Sequence, residues 1–109
     1  MIRHRGRISG RTYETPVGAV PTDDGFVIAL VCGSRTNWLR NVLASGSATI
    51  VHDGHTWSVD QPQVVPMQAA ADAFPAGDRR GFRLLRVDQC LRVRRVGLDA
   101  AAAPFADAA

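Results

Sequence analysis

The sequence predicts a mainly β (α+β) fold: a barrel of antiparallel strands, one short helix between strands three and four, and a second short helix near the C-terminal strand. Three observations carry that expectation. Asp23-Asp24-Gly25 and Asp53-Gly54 are tight-turn signals, because Asp and Gly tolerate positive φ. Phe26 to Cys32 is apolar at every position and calls for cover on both faces. Only around Trp38 to Leu43 does the apolar spacing become clearly helical.

Each element follows in order. Arg7-Ile8-Ser9-Gly10-Arg11 is a polar turn joining a short first strand to Thr12–Val20, where Pro16 marks an edge or a bulge. The Asp23-Asp24-Gly25 turn leads into Phe26–Cys32, the central strand. Gly33-Ser34-Arg35-Thr36 opens the helix, with Ser34 or Thr36 as cap, and Gly46 stops it. Trp38, Leu39, Val42 and Leu43 form its apolar face, and Asn41 ties the helix to backbone. Ala48–Val51 returns to strand, and His55–Val65 follows the Asp53-Gly54 turn with a kink or bulge at Pro62. Met67–Phe74 reads as a short helix, Pro75–Gly81 as a loop, and Leu84–Val96 as the last strand. Residues 1–98 are read as one barrel domain and residues 99–109 as an Ala-rich flexible tail.

A length of 109 residues suits one domain with a real core. The net charge of +3 favours anionic partners. All 13 basic residues are Arg, whose rigid fork of donors suits phosphate and carboxylate. Aromatic residues make up 6% and do not line up as stacking platforms, which argues against a nucleic-acid-binding barrel. Cys32 and Cys90 sit apart in apolar runs and read as buried core residues, consistent with a cytoplasmic protein. No apolar run is long enough for a membrane span, and the arginine-rich start is not a signal peptide. His4, among arginines, reads as solvated. His52, Asp53 and His55 lack the further ligand a metal site needs. Arg92, Arg94 and Arg95 read as a solvated strand face. No nucleophilic triad is legible, so no side chain is assigned a catalytic role.

Two segments have the chemistry of an anion site. In Gly6-Arg7-Ile8-Ser9-Gly10-Arg11, Arg and Ser donors flank a glycine that lets backbone approach a phosphate. Cys32-Gly33-Ser34-Arg35-Thr36-Asn37-Trp38 runs from a strand into a helix N-terminus, where free N–H groups favour an anion.

Taken together these segments, with Thr15-Pro16, Asn37-Trp38-Leu39-Arg40-Asn41-Val42-Leu43, Ala48-Thr49-Ile50-Val51 and Asp53-Gly54, resemble the deazaflavin-dependent nitroreductase family. The resemblance covers about Arg5 to Val65. It implies a split β-barrel and a reductase that passes hydride from a reduced deazaflavin coenzyme (F420) to a small organic acceptor, a quinone or a nitroaromatic compound. FMN is the alternative cofactor. The resemblance places the coenzyme's phosphate and acidic tail on Arg7, Ser9, Arg11, Ser34 and Arg35. The chain departs from the family in starting almost at the first strand, in having Ile8 where a basic residue is common, and in lacking Tyr between Met67 and Gly81. Homodimer formation is the expectation attached to the first departure. The rival function is a non-catalytic protein that binds flavin or deazaflavin.

Overall fold

A computed structural model describes residues 1–98; the expected tail, 99–109, lies outside the described residues. Seven antiparallel strands form one curled sheet, a half-barrel of the split-barrel class. They are β1 (Ile2–Arg5), β2 (Thr12–Thr15), β3 (Ala19–Pro21), β4 (Gly25–Ala29), β5 (Ser47–His52), β6 (His55–Pro66) and β7 (Gln89–Leu98). The sheet order is β2-β1-β5-β6-β7-β4-β3. Three short α-helices interrupt the strands: α1 (Asn37–Ser45), α2 (Met67–Ala70) and α3 (Ala76–Leu84).

Pro16 does more than kink the expected second strand. It divides Thr12–Val20 into β2 and β3, which lie at opposite edges of the sheet. A proline cannot donate to a ladder, so pairing stops there. The helix expected between strands three and four therefore follows the fourth strand. Around the seam, the Met1 amino group reaches the carbonyl oxygens of Val17 (3.5 Å) and Val51 (3.4 Å).

The apolar run at β4 has the expected two-sided cover. Phe26 and Ile28 join Ile2, Leu39, Val42 and Ile50 in the core between the sheet and α1. Val27 faces the other way, onto Val65, Phe74 and Cys90 beneath α2 and α3. The strand stops at Ala29, where Leu30 N–H donates to Gln89 O and Gly33, at φ 82°, turns the chain outward. Cys32 lies on that turn and is exposed, contrary to the expectation of a core cysteine, whereas Cys90 is buried. Gly25 is not in a positive-φ turn. Its hydrogen atom fills a place where a side-chain carbon would collide with the Val93 carbonyl on β7. Asp53 (φ 50°) and Gly54 (φ 77°) do form the two-residue hairpin between His52 and His55.

Helix α1 spans the expected residues and ends on Gly46, left-handed at φ 74°, whose N–H caps Val42 O. Thr36 occupies the N-cap position in extended conformation, but neither its hydroxyl nor that of Ser34 makes a capping bond. Asn41, not Leu43, completes the inward face; Leu43 is exposed.

The largest correction falls between residues 75 and 88. The expected loop is α3, and the last strand starts at Gln89, not Leu84. Pro75 suits the residue before a helix, Asp78 lies in the first turn and Arg83 in the last, which complements the helix dipole. Arg86, at φ 57°, then reverses the chain. Of the kink or bulge expected at Pro62, the structure has the bulge, with Gln61 at φ 50° and a register shift between Asp60 and Gln63. Among the described residues no helix is long and apolar enough to cross a membrane.

Candidate functional site

The first turn and the start of α1 meet across a groove of about 640 Å³, bordered by Arg7, Ser9, Tyr13, Asn37, Trp38 and Asn41, among others. A local reason brings them together. The turn closes through Gly6 N–H to Arg11 O (2.7 Å) and Gly10 N–H to Gly6 O (2.9 Å). A Cβ on Gly6 would lie 2.8 Å from both Ser9 Oγ and Tyr13 Cε2, so a larger residue here would have to push those side chains aside. Ser9 Oγ and Tyr13 Oη are hydrogen-bonded at 3.0 Å, and Arg11 N–H donates to Ser9 Oγ.

A chain of polar contacts locks the turn to the helix. Asn41 Oδ1 accepts from Arg7 backbone N–H (3.1 Å) and from Arg7 Nη1 (2.7 Å). Arg7 Nη2 donates to Asn37 Oδ1 at 3.3 Å. With both Arg7 donors on its oxygen, the Asn41 amide directs Nδ2 to His4 Nδ1, 3.1 Å away. His4 Nδ1 must then be an acceptor, and the ring proton sits on Nε2, donated to Thr15 Oγ1 at 2.9 Å. His4 is buried, not solvated as expected, and stacks on Tyr13 with ring centres 5.9 Å apart. Burial disfavours the imidazolium and lowers its pKa below the ordinary histidine value. Asn41 ties the helix to backbone as its residue type suggested, through the Arg7 N–H.

Two of the five Arg7 N–H donors are thus committed, leaving three for a ligand. The guanidinium is exposed at the groove but held in one orientation. The acidic Glu14 also borders the groove, and Arg3 Nε pairs with it at 3.1 Å.

The other expected donors stand elsewhere. Arg11 is exposed and borders none of this groove; Ser34 and Arg35 are exposed and border neither it nor its neighbour. That neighbour, about 350 Å³, lies beyond Trp38 and Thr15, which border both grooves, and includes Leu30, Gly33, Thr36 and Phe82. Thr36 Oγ1 is buried there without a hydrogen-bond partner. Trp38 is half-buried, packed on the core with one part facing the grooves. A third cavity, about 970 Å³, lies between α2 and α3 and is bordered by Met67, Phe82, Arg79, Arg80 and Arg83.

Sequence reasoning missed His4, Tyr13 and Asn37. For His4 the signal was available: Ile2 and His4 are two apart on a strand and share a face. Among the described residues no group of three His, Cys, Asp or Glu side chains could hold a metal ion. No family model matches the chain, and no curated protein matches it.

Proposed function

We propose that this chain is a reductase that holds a deazaflavin coenzyme in the groove between the first turn and α1 and directs its hydride to a small organic acceptor. The observation that carries the reading is Arg7: a guanidinium fixed by Asn41 and Asn37, with three donors free, at the rim of a groove walled by Trp38. Charge-assisted bonds to a pre-oriented fork are the strong kind, and little side-chain entropy remains to be lost on binding. A volume of about 640 Å³ falls within the range of small-molecule sites.

These residues fit the group. Arg7 and Ser9 would hold its phosphate or acidic tail; Arg11, Ser34 and Arg35 stand at exposed positions outside the groove. Trp38 would exclude water from one side and separate the coenzyme from an acceptor in the adjoining groove. The coenzyme supplies the hydride when bound, so the protein needs no nucleophile. Its tasks are orientation and anion binding.

Titration with oxidised deazaflavin coenzyme and, separately, FMN, followed by fluorescence, tests this. Saturable binding of the deazaflavin is expected, with Arg7→Ala weakening it roughly tenfold to a hundredfold while the variant keeps its fold. Oxidation of the reduced coenzyme by a quinone or nitroaromatic compound is the second expectation. Equal binding by a folded Arg7→Ala variant removes the reading. Tight binding with no turnover makes the chain a coenzyme-binding protein instead.

A further inference from the structure

The Asn41 amide has one acceptor side and one donor side, and both are in use. Its oxygen faces two Arg7 donors, and its NH2 faces the bare Nδ1 of His4. A proton added to His4 must go to Nδ1, since Nε2 already carries one toward Thr15. Nδ1–H would then point at the Asn41 NH2, donor against donor. Rotating the amide repairs that contact but turns its NH2 onto the Arg7 backbone N–H and guanidinium. One side of the amide can be satisfied, never both.

We propose that His4 and Asn41 are positioning residues for Arg7, and that the protonation state of His4 sets the affinity of the groove for anions. Neutral His4 holds Arg7 toward the ligand; protonated His4 releases it. The inference rests on reading the groove as an anion site. Burial of the ring favours the neutral form. Tyr13 stacks on it from β2, and Glu14 on the same strand is engaged by Arg3. The Arg7 cation lies across the Asn41 amide, while Arg3 and Arg5, next to His4 on β1, belong to the opposite face of the strand. From α1 the groove receives Asn37, Trp38 and Asn41, all neutral, while Arg40 is exposed and does not border it. On β5, which pairs with β1 at Ile2 and Arg3, the nearest partners are Ile50 and Thr49. Burial lowers the ring's pKa, so the transition falls on the acidic side of the ordinary histidine value.

The test uses the full chain and two probes: sulfate, whose charge is constant over the range, and the deazaflavin coenzyme. Nitrogen-15 NMR follows the His4 ring and the Arg7 amide between about pH 8 and about pH 5, and calorimetry gives both affinities. The expected results are an Nε2–H tautomer at the high end, an Arg7 amide shift with the same midpoint as His4, and sulfate affinity falling roughly tenfold or more across it. His4→Asn keeps an acceptor near the Nδ1 position but cannot titrate in this range; whatever its affinity at about pH 8, it should lose the fall. His55→Gln, remote on β6, should retain the fall. An Nδ1–H tautomer, an Arg7 amide blind to His4, or an undiminished fall in His4→Asn overturns the proposal, and the first two are read on the parent chain. Sulfate behaving as expected while the coenzyme fails to bind leaves the relay standing and removes the deazaflavin reading. Coenzyme binding equally at both ends removes the relay alone.

Discussion

Arg7 and Arg95 are both anchored arginines, but they are anchored for opposite ends. At the β3–β4 corner, Arg95 donates to the carbonyl oxygens of Gly25 (2.9 Å), Thr22 (3.0 Å) and Asp23 (3.1 Å). Its guanidinium carbon also lies 5.4 Å from the Phe26 ring centre and 5.5 Å from that of Trp57. Three of its five N–H donors end on backbone carbonyls of the turn, and its guanidinium lies against two rings. Arg7 is held by two side-chain amides and keeps three donors unused at a groove. The difference separates an arginine that closes a fold from one that is held ready for a partner: what matters is what anchors it, the carbonyls of a turn and two rings for Arg95, two amides at the rim of a groove for Arg7.

The comparison breaks most visibly at Phe26. Phe26→Ala removes a ring that is 1% exposed and underlies Arg95, and is expected to destabilise the chain by about 3–5 kcal/mol in denaturant unfolding. A loss near 1 kcal/mol would mean that the corner repacks freely. Arg95→Ala should cost about 2–3 kcal/mol, since it leaves turn carbonyls without donors and strips a cation from two rings. Anion binding at the distant groove should be unaffected. If Arg95→Ala instead weakens ligand binding with no stability loss, the two arginines have been assigned the wrong way round.

Acid should sharpen the contrast. The folded-state pKa of His4 is lowered, so between that value and the ordinary one near 6.5 the unfolded chain binds more protons than the folded one. The contribution of His4 to stability is therefore complete above the ordinary value and lost as pH falls through the folded one. Melting curves across that window should show the loss in the parent and not in His4→Asn. At the small end stands Arg94→Ala. Arg94 makes two bonds of 2.9 Å to Asp60, and those bonds lower the Asp60 pKa, yet the pair sits in solvent on the outer sheet face. Its removal should hardly move the melting midpoint.

Much of this was legible in the sequence where a residue's local chemistry decides its place. Asp53-Gly54 turns the chain by its own φ preference, Gly46 ends α1, and the unbroken apolar run around Phe26 could only be a doubly covered strand. Asn41 was readable as a tie because a lone amide on an apolar helix face needs a partner. The errors have a common cause: position decided by distant pairing. His4 looked solvated between arginines, but alternation with Ile2 carries it inward. Cys32 looked buried because its strand was assumed to run three residues past the last rung, at Ala29, that β7 supplies. Pro75 to Leu84 has weak apolar content and two glycines, so its helix lies in end signals and not in periodicity. Of the anion donors, Arg7 and Ser9 reach the groove; Arg11, Ser34 and Arg35 show that adjacency in a motif does not fix adjacency in space.

The strand order has a consequence for the order of events during synthesis. β4 joins the rest of the sheet only through β7, with Phe26 opposite Val93 and Ile28 opposite Leu91. Residues 25–29 thus wait, unpaired on one side, until residues 90–94 have left the ribosome. The β2-β1-β5-β6 half, which carries Arg7 and its amide clamp, needs nothing beyond Pro66 for its own ladders. The groove side can take shape early, while the apolar strand that anchors the core stays exposed until β7 has been synthesised.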